Sequence, residues 1–583
     1  MERLDDVDGL ARRRGFYWPS FEIYGGVGGL YDVGQIGLRV KHKLEGTWRR
    51  FFLEELPLPM VEVETPLITP SRVLEASGHV SSFTDPLVEC PSCHRVYRAD
   101  QLLEAKLGVS AEGLGIEELN ALFQKNDVRC DACGARLGGV KTFNLLFKTN
   151  LGPFTSDVAY VRPETAQGMF TSFKRVFEAS RRQLPLGVAQ VGRVARNEIS
   201  PRQSLIRMRE FTIMEFEFFF DPADLQAAMS ALGDMAAESL NLTLADGQEL
   251  TLTPMEAISA SHVKTPWMAY FMEAALQLLL KLGFKSEEVR FVEKGEKERA
   301  HYSAQTFDVM IPTKRWGPVE VAGISYRTDY DLRNHSIKSG QDLSVSVALE
   351  KPFLQASRRV VAHADAVRVD FGEHSGEVLA AISTLDPSQV GQEVELNLSF
   401  GRVKLGTRHF AVQVEERLVS AKKLIPHVVE PSFGSERLLY ALLDRSLVIK
   451  EGRVVLALPS SVAPYDCSIF PLVKRDDMGS MAKRLESELR EAGYSVFYDE
   501  DGSIGKRYAR SDEIGIPVAI TIDQRSLEDN SVTVRDRDSW KQWRARSSEL
   551  AEILRRVLSG KSLISLGLEE VSRRPPKGKK AGG

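Results

Sequence analysis

At 583 residues the chain is too long for a single hydrophobic core, and ordinary domain sizes give three or four domains. Hydrophobic and charged fractions of 43% and 27% suit a globular protein in water, and no apolar run reaches the roughly 18 residues that a membrane-spanning helix needs. A net charge of -4 excludes a uniformly cationic coat for nucleic acid and leaves room for a local basic face. Five cysteines, four of them in two Cys-x-x-Cys pairs, suit a metal site in a reducing compartment better than a disulfide scaffold. The first residues, MERLDDVDGLARRRGFYW, lack the apolar stretch of a signal peptide, so the cytoplasm is the expected location.

Residues 21–66 open with a glycine-rich stretch, run through an amphipathic segment (Leu38, Val40, Leu44, Trp48, Phe52) and close with MVEVETPLITP. Gly25, Gly26, Gly28 and Gly29 have no Lys-Ser/Thr after them and read as a turn rather than a phosphate loop. Cys90, Cys93, Cys130 and Cys133 offer the four thiolates of a closed structural zinc site, the alternative being unmetallated thiols. Four protein ligands leave no open position for catalysis. The spacer, with Leu102, Leu103, Leu107 and Leu122, reads as a helical insertion, and the lone Cys467 as a packed small residue.

Val188 to Phe220 reads as a hairpin: two strands rich in β-branched and aromatic residues around a polar turn, Ser200 to Ser204. Strand alternation puts Arg196 with Glu198, sets Phe211, Ile213, Glu215 and Glu217 on one face, and sets Thr212, Met214, Phe216 and Phe218 on the other. Carboxylates in so apolar a strand need partners, because an unpaired buried charge costs several kcal/mol by roughly any estimate. Residues 222–290 contain helical stretches, notably DLQAAMSALGDMAAESL and PWMAYFMEAALQLLLKLGF, whose apolar spacing suggests packing helices. Glu320 lies among apolar strand residues, where a metal, an ammonium or a cross-strand ion pair would account for it. Residues 341–420 alternate in short strands. Pro426 to Tyr440 reads as a strand ending near Glu430, a glycine turn and a helix with Arg437 in its first turn. A cation there opposes the helix dipole by about 0.3 to 1 kcal/mol, a cost that a bound anion would reverse. After Lys450, strand and helix alternate as in a separate parallel α/β domain, and RRPPKGKKAGG reads as a disordered basic tail.

Arg196, Glu198, Arg207, Phe211 and Glu215, in the pattern Arg-x-Glu, loop, Arg-x-x-x-Phe-x-x-x-Glu, resemble motif 2 of the class II aminoacyl-tRNA synthetases. Residues 21–66 resemble motif 1, which implies a homodimer, and the stretch around Arg437 resembles motif 3. Ser435 and Glu436 depart from the small residues often found there. RPETAQG (162–168), RNEISPR (196–202), REFT (209–212) and EPSFG (430–434) narrow the resemblance to glycyl-tRNA synthetases of the dimeric type of archaea and eukaryotes, over nearly the whole chain.

That resemblance implies an α/β protein with an α+β catalytic core: a class II antiparallel sheet flanked by helices, a zinc-knuckle insertion and a C-terminal α/β anticodon-binding domain. The implied divisions are 1–85 (core, motif 1), 86–143 (cysteine insertion), 144–340 (core, motif 2), 341–422 (α/β insertion, touching the acceptor end of tRNA or purely structural), 423–450 (core, motif 3), 451–560 (anticodon binding) and 561–583 (tail). The implied activity is ATP-dependent formation of glycyl-adenylate and transfer of glycine to the 3′ end of tRNA(Gly). It gives Arg196 the α-phosphate, Arg207 and Arg437 the outer phosphates, Phe211 the adenine ring and Glu198 its amino edge, with Arg196 and Arg437 carrying catalysis. Glu164, Glu215 and Ser432 go to the glycine pocket, Arg327 to the glycine carboxylate, and Glu320 and Glu430 to magnesium. Glu430 could equally serve the glycine pocket, and Glu164 a helix cap. Lys506, Arg507, Arg510, Arg535 and Arg537 are either tRNA phosphate contacts or solvated charges. The rivals are an inactive RNA-binding relative, against which Arg196, Arg207 and Arg437 all stand, and a synthetase for a larger amino acid, which RPETAQG and Glu215 oppose.

Overall fold

A computed structural model describes residues 6–153, 156–235, 238–388 and 390–571. It divides into two compact units: one holds the described residues up to Ala179, Leu184–Leu343 and those from Ile425 onward, and the other holds Ser180–Gln183 with Ser344–Leu424. Among the described residues no helix is long and apolar enough to cross a membrane.

The first unit is built on a nine-stranded sheet. In chain order its strands are β1 (Met60–Glu62), β2 (Leu186–Ala195), β3 (Glu210–Phe220), β4 (Leu240–Thr243), β5 (Glu249–Leu252), β6 (Arg290–Glu293), β7 (Gln305–Thr313), β8 (Gly317–Thr328) and β9 (His427–Gly434). The spatial order is β5-β4-β6-β7-β8-β9-β3-β2-β1. Only β1 with β2 and β4 with β6 run parallel, so the expected antiparallel core is present. The helices that matter for the site are α1 (Gln35–Arg49), α2 (Ala99–Leu107), α3 (Ala166–Ala179), α4 (Pro266–Lys281), α5 (Tyr330–Ser339) and α6 (Ser435–Ser446).

Period-two alternation decides which side of the sheet becomes core. Phe216 and Phe218 of β3 point into an aromatic layer, with ring centroids 6.1 Å from Trp48 (Phe216) and 5.1 and 4.8 Å from Phe271 of α4. Trp48 is fully buried on the apolar stripe that α1 makes with Val40 and Leu44. The opposite face of β3 carries Glu215 and Glu217, and that is where charge collects.

The cysteine insertion has its own small core, in which Cys90 and Cys130 pack with Ala99, Leu102, Leu103, Leu119 and Phe123. The second unit pairs Val345–Ala362 with Phe410–Leu424 and adds two helices and a short hairpin. From Cys467 onward a six-stranded sheet has a core of its own that includes Cys467. This sheet corrects the purely parallel expectation. Only the strands Val496–Tyr498, Cys467–Pro471 and Val518–Ile522 are parallel, and Ser531–Asp536, Gln542–Arg546 and Glu569–Glu570 add on antiparallel.

The expected tail is also shorter than 561–583: Leu563 is buried and Glu570 pairs with Trp543, because apolar residues precede the basic run. Residues 572–583 lie outside the described residues.

Candidate active site and cysteine cluster

β2 and β3 form the long hairpin in a register that pairs Gln190 with Glu215 and Ala195 with Glu210. The strand ends sooner than the sequence suggested. Arg196 and Glu198 lie in a loop over 196–209, where Pro201 and the positive φ angles of Ser200 and Ser204 break the ladder. The two side chains are therefore not strand neighbours. Arg196 donates to the Pro163 carbonyl at 3.1 Å, and its guanidinium lies 5.3 Å from the centre of the Phe211 ring. Arg207 donates to Glu198 Oε2 at 2.7 Å and to Gln101 Oε1 of α2 at 2.7 Å.

The glycine-rich turn at 25–29 docks on this loop. Arg209 donates from its amide to the Gly29 carbonyl at 2.7 Å and from Nη1 to the Gly28 carbonyl at 2.7 Å. At Gly29, φ is +77° and a Cβ would stand 2.5 Å from Pro201 Cγ, so only glycine fits.

Arg437 is in the first turn of α6, as expected. It donates to the Ile206 carbonyl at 2.9 Å and pairs with Glu320 Oε2 at 3.1 Å. Glu436, the unusual residue beside it, is buried. It accepts from Lys41 Nζ at 2.7 Å and from the Thr212 amide at 2.8 Å, tying α6 to α1 and β3. Ser435 donates to Glu45 at 2.9 Å, so both departures from the usual motif are absorbed by α1 or β3.

A second cluster forms where β3, β8 and β9 meet the start of α3. Arg327 is fully buried. Its Nε and Nη2 donate to Asp331 at 2.8 and 2.9 Å, its Nη1 donates to Glu430 at 2.9 Å, and Glu164 lies 3.6 Å from Nη2. Tyr302 covers the guanidinium at 3.6 Å. In this structure the Arg327 donors are directed at the protein's own acids.

Glu164 lies just before α3. Its carboxylate accepts from Gln167 at 2.9 Å and lies 3.3 Å from His79 Nε2, while Glu215 takes the Thr165 amide at 2.6 Å and the Ser432 hydroxyl at 2.9 Å. Gly168 lets the start of α3 pack against Thr65, since a Cβ there would meet Thr65 Oγ1 at 2.1 Å.

Burial sets the protonation of these acids. It pushes Glu430 up to about 8 against the pull of Arg327, and it raises Glu215 with help from Glu164. It also acts on Glu164, but there His79 and Arg327 prevail and hold the carboxyl well below its ordinary range.

Glu217, given no role by sequence, is the extreme case. Its register puts it opposite Glu430, it is fully buried, and neither carboxylate oxygen has a hydrogen-bond partner. Burial and Glu430 raise it well above the usual carboxylate value. In acid both folded and unfolded chains hold this proton. As pH rises past about 4.5 only the unfolded chain releases it, so stability falls until the folded group ionises. Glu217→Gln has no such loss. The thermal midpoint of the variant relative to the parent is expected to climb from about pH 4.5 upward, and a pH-independent difference would show that Glu217 is not desolvated as described.

Glu320 and Glu430 stand apart on the sheet. Glu430 is opposite Ser325 on β8, so Glu320 lies five residues along that strand, roughly 16 Å away at the usual strand rise. Glu320 stands with Asp308 of β7 instead. Burial and the Glu320 charge push Asp308 up to about 7, while Arg437 and Lys294 offset burial at Glu320 and lower it. Two acids that disfavour each other's charge beside Arg437 are a donor set suited to a divalent cation.

The four cysteines form one cluster, with sulfur atoms within 4.8 Å of one another and close pairs Cys90–Cys133 at 3.5 Å and Cys93–Cys130 at 3.6 Å. Four thiolates bound tetrahedrally at about 2.3 Å stand about 3.8 Å apart, so the group fits zinc. A hydrogen bond from Tyr97, 3.1 Å away, lowers the Cys130 thiol to about 6.

In the C-terminal sheet the proposed phosphate contacts separate. Arg507 bonds the Pro471 and Leu472 carbonyls, Arg535 bonds Asp512 at 2.8 and 2.9 Å, and Arg537 bonds the Leu458 and Gly515 carbonyls. All three are buried structural ties, and Arg510 pairs with Asp499 at 2.7 Å. Lys506 is exposed.

Comparison with known families agrees with this architecture. The tRNA synthetase class II core domain (G, H, P, S and T) matches residues 154–446, and the Anticodon binding domain matches residues 466–557, which places the chain among the class II aminoacyl-tRNA synthetases. A glycine–tRNA ligase of Aeropyrum pernix is 45% identical over 567 residues, covering 96% of this chain and 97% of its own. One from Pyrococcus furiosus is 40% identical over 570 residues (96% and 100%), and one from Methanothrix thermoacetophila 39% over 570 residues (96% and 98%). The chain belongs to the glycine–tRNA ligases.

Proposed function

We propose that the glycine carboxylate attacks the α-phosphate of ATP, giving glycyl-adenylate and releasing pyrophosphate. The glycyl group then passes to the 3′ end of tRNA(Gly) with release of AMP, the Arg196 loop and the Arg327 cluster being the two halves of one active site. The observation that supports this most is their common origin on β3: Phe211 faces Arg196 at one end, and Glu215 faces Glu164 and Ser432 further along.

The attacking group is the glycine carboxylate, already a nucleophile, so the protein's work is placement and charge neutralisation rather than proton removal. Arg196 and Arg437 are both half-buried; Arg196 donates to a backbone carbonyl, and Arg437 donates to one and also pairs with Glu320. Phosphate oxygens are stronger partners than carbonyls because the bond is charged on both sides. Arg196 takes the α-phosphate, Arg207 and Arg437 the outer phosphates, Phe211 the adenine ring and Glu198 its amino edge. Glu320 and Asp308 would hold the magnesium that accompanies ATP, which when bound neutralises phosphate charge.

Glycine offers only an ammonium and a carboxylate. Glu164, Glu215 and Glu430 receive the ammonium, with Ser432 fixing Glu215. Arg327 is their counter-charge and keeps the acids from all taking up protons. A larger side chain is excluded by overlap, since apolar contact with one methylene discriminates by only about 1 to 3 kcal/mol.

The chain is expected to act as a homodimer through residues 21–66, in the cytoplasm, with a structural zinc at the four cysteines and tRNA engaged through the C-terminal domain. Labelled glycine should pass to tRNA(Gly) with an intact terminal ribose and not to the same tRNA ending in 3′-deoxyadenosine. Equal charging of the two would move the attack to the neighbouring hydroxyl.

A further inference from the structure

We infer that the cysteine insertion sets the position of the ATP loop, with Gln101 as the positioning residue for Arg207. This rests on the proposed role of Arg207 at the ATP phosphates.

The loop over 196–209 lies beyond the strand ladder, which closes at Ala195 and Glu210. Within it Arg207 and Arg209 bond Glu198, Leu205 and Ile206 are buried, and Arg209 bonds the turn at Gly28 and Gly29. The insertion supplies tethers from outside. Gln101 Oε1 accepts from Arg207 Nη1 at 2.7 Å, and the Val96 carbonyl accepts from the Ser200 hydroxyl at 2.8 Å. Asp85, at the edge of the insertion, lies 4.0 Å from Arg207 Nη2. On the far side Glu112 lies 3.8 Å from Lys294, which itself pairs with Asp308 at 3.2 Å. Arg207 therefore has its Nε on Glu198, within its own loop, and its Nη1 on the insertion.

What aims Gln101 is the core beneath it. Gln101 is exposed on α2, whereas Ala99, Leu102 and Leu103 of the same helix pack with Cys90 and Cys130. Tyr97, on the short strand that leads into α2, hydrogen-bonds Cys130. Closing the four sulfurs around an ion fixes the two knuckles, the strand Val96–Arg98 and the first turn of α2. The metal is remote from the chemistry and reaches Arg207 through the Gln101 amide oxygen, while the Val96 carbonyl holds Ser200.

The test uses the full-length, zinc-loaded enzyme. Because Gln101 is exposed, Gln101→Ala should fold as the parent does. Losing one charge-assisted hydrogen bond is expected to raise the KM for ATP about tenfold in glycine-dependent pyrophosphate exchange, with the KM for glycine unchanged. Gln101→Glu, which keeps an acceptor oxygen, should restore it. Stripping the metal under reducing conditions, followed by zinc analysis, should give the same ATP-selective loss in the parent and little further loss in Gln101→Ala, the non-additivity of two changes on one path. Trypsin should cut the loop at Arg202 or Arg207 faster in either case. Parent-like ATP KM and parent-like cleavage in Gln101→Ala, or equal losses for ATP and glycine, would overturn the inference. A parent inactive with glycine but with a loop still loosened in Gln101→Ala would fault the functional reading and leave the tether standing.

Discussion

Arg196→Ala is expected to slow glycyl-adenylate formation by about a hundredfold or more, the scale found when one oriented charge-stabilising donor is removed. The loss should fall on the rate of activation rather than on folding. Arg196 is half-buried and its hydrogen bond is to a carbonyl rather than to a buried acid, so its removal strands no charge. Single-turnover adenylate formation against thermal unfolding separates the two effects. Near-parent activation in this variant would take Arg196 out of the mechanism.

Arg327→Leu should fail in the opposite manner, losing stability and glycine activation together. The guanidinium is the counter-charge for Asp331 and Glu430, all three being buried, and Glu164 is close by. Removing one member of such a group leaves uncompensated charge and costs about 3–5 kcal/mol. The stranded acids can recover part of that by taking up protons, so the deficit should grow as pH rises, since the folded variant then holds protons that the unfolded chain releases. A parent-like melting temperature with a parent-like KM for glycine would mean that Arg327 is neither the counter-charge nor part of the pocket.

The contrast between these arginines marks what was legible in the sequence. Alternation along β3 separated Glu215 and Glu217 from Phe216 and Phe218 because a strand has period two whatever surrounds it. The end of β2 was misplaced because Ser200 and Ser204 adopt left-handed backbone angles that no residue type announced. Arg507, Arg535 and Arg537 looked like surface cations, but their partners are carbonyls and an acid that only the folded sheet brings close. The same holds for His79, Asp308, Asp331 and Gln101, each of which touches or couples to a residue far away or in another strand. Spacing carries no signal of such contacts. Glu217 was the exception that could have been found, since its place beside Glu215 in an apolar strand already implied an unusual acid.

The most direct test of the central claim is amino-acid-dependent exchange of pyrophosphate into ATP, run with each of the twenty amino acids and without tRNA, and repeated with tRNA(Gly) present. Exchange with glycine alone is the expected result, because it requires both the arginine loop that holds ATP and a pocket that excludes every side chain. Exchange with alanine or serine at a comparable rate, or none with any amino acid under either condition, would contradict the account.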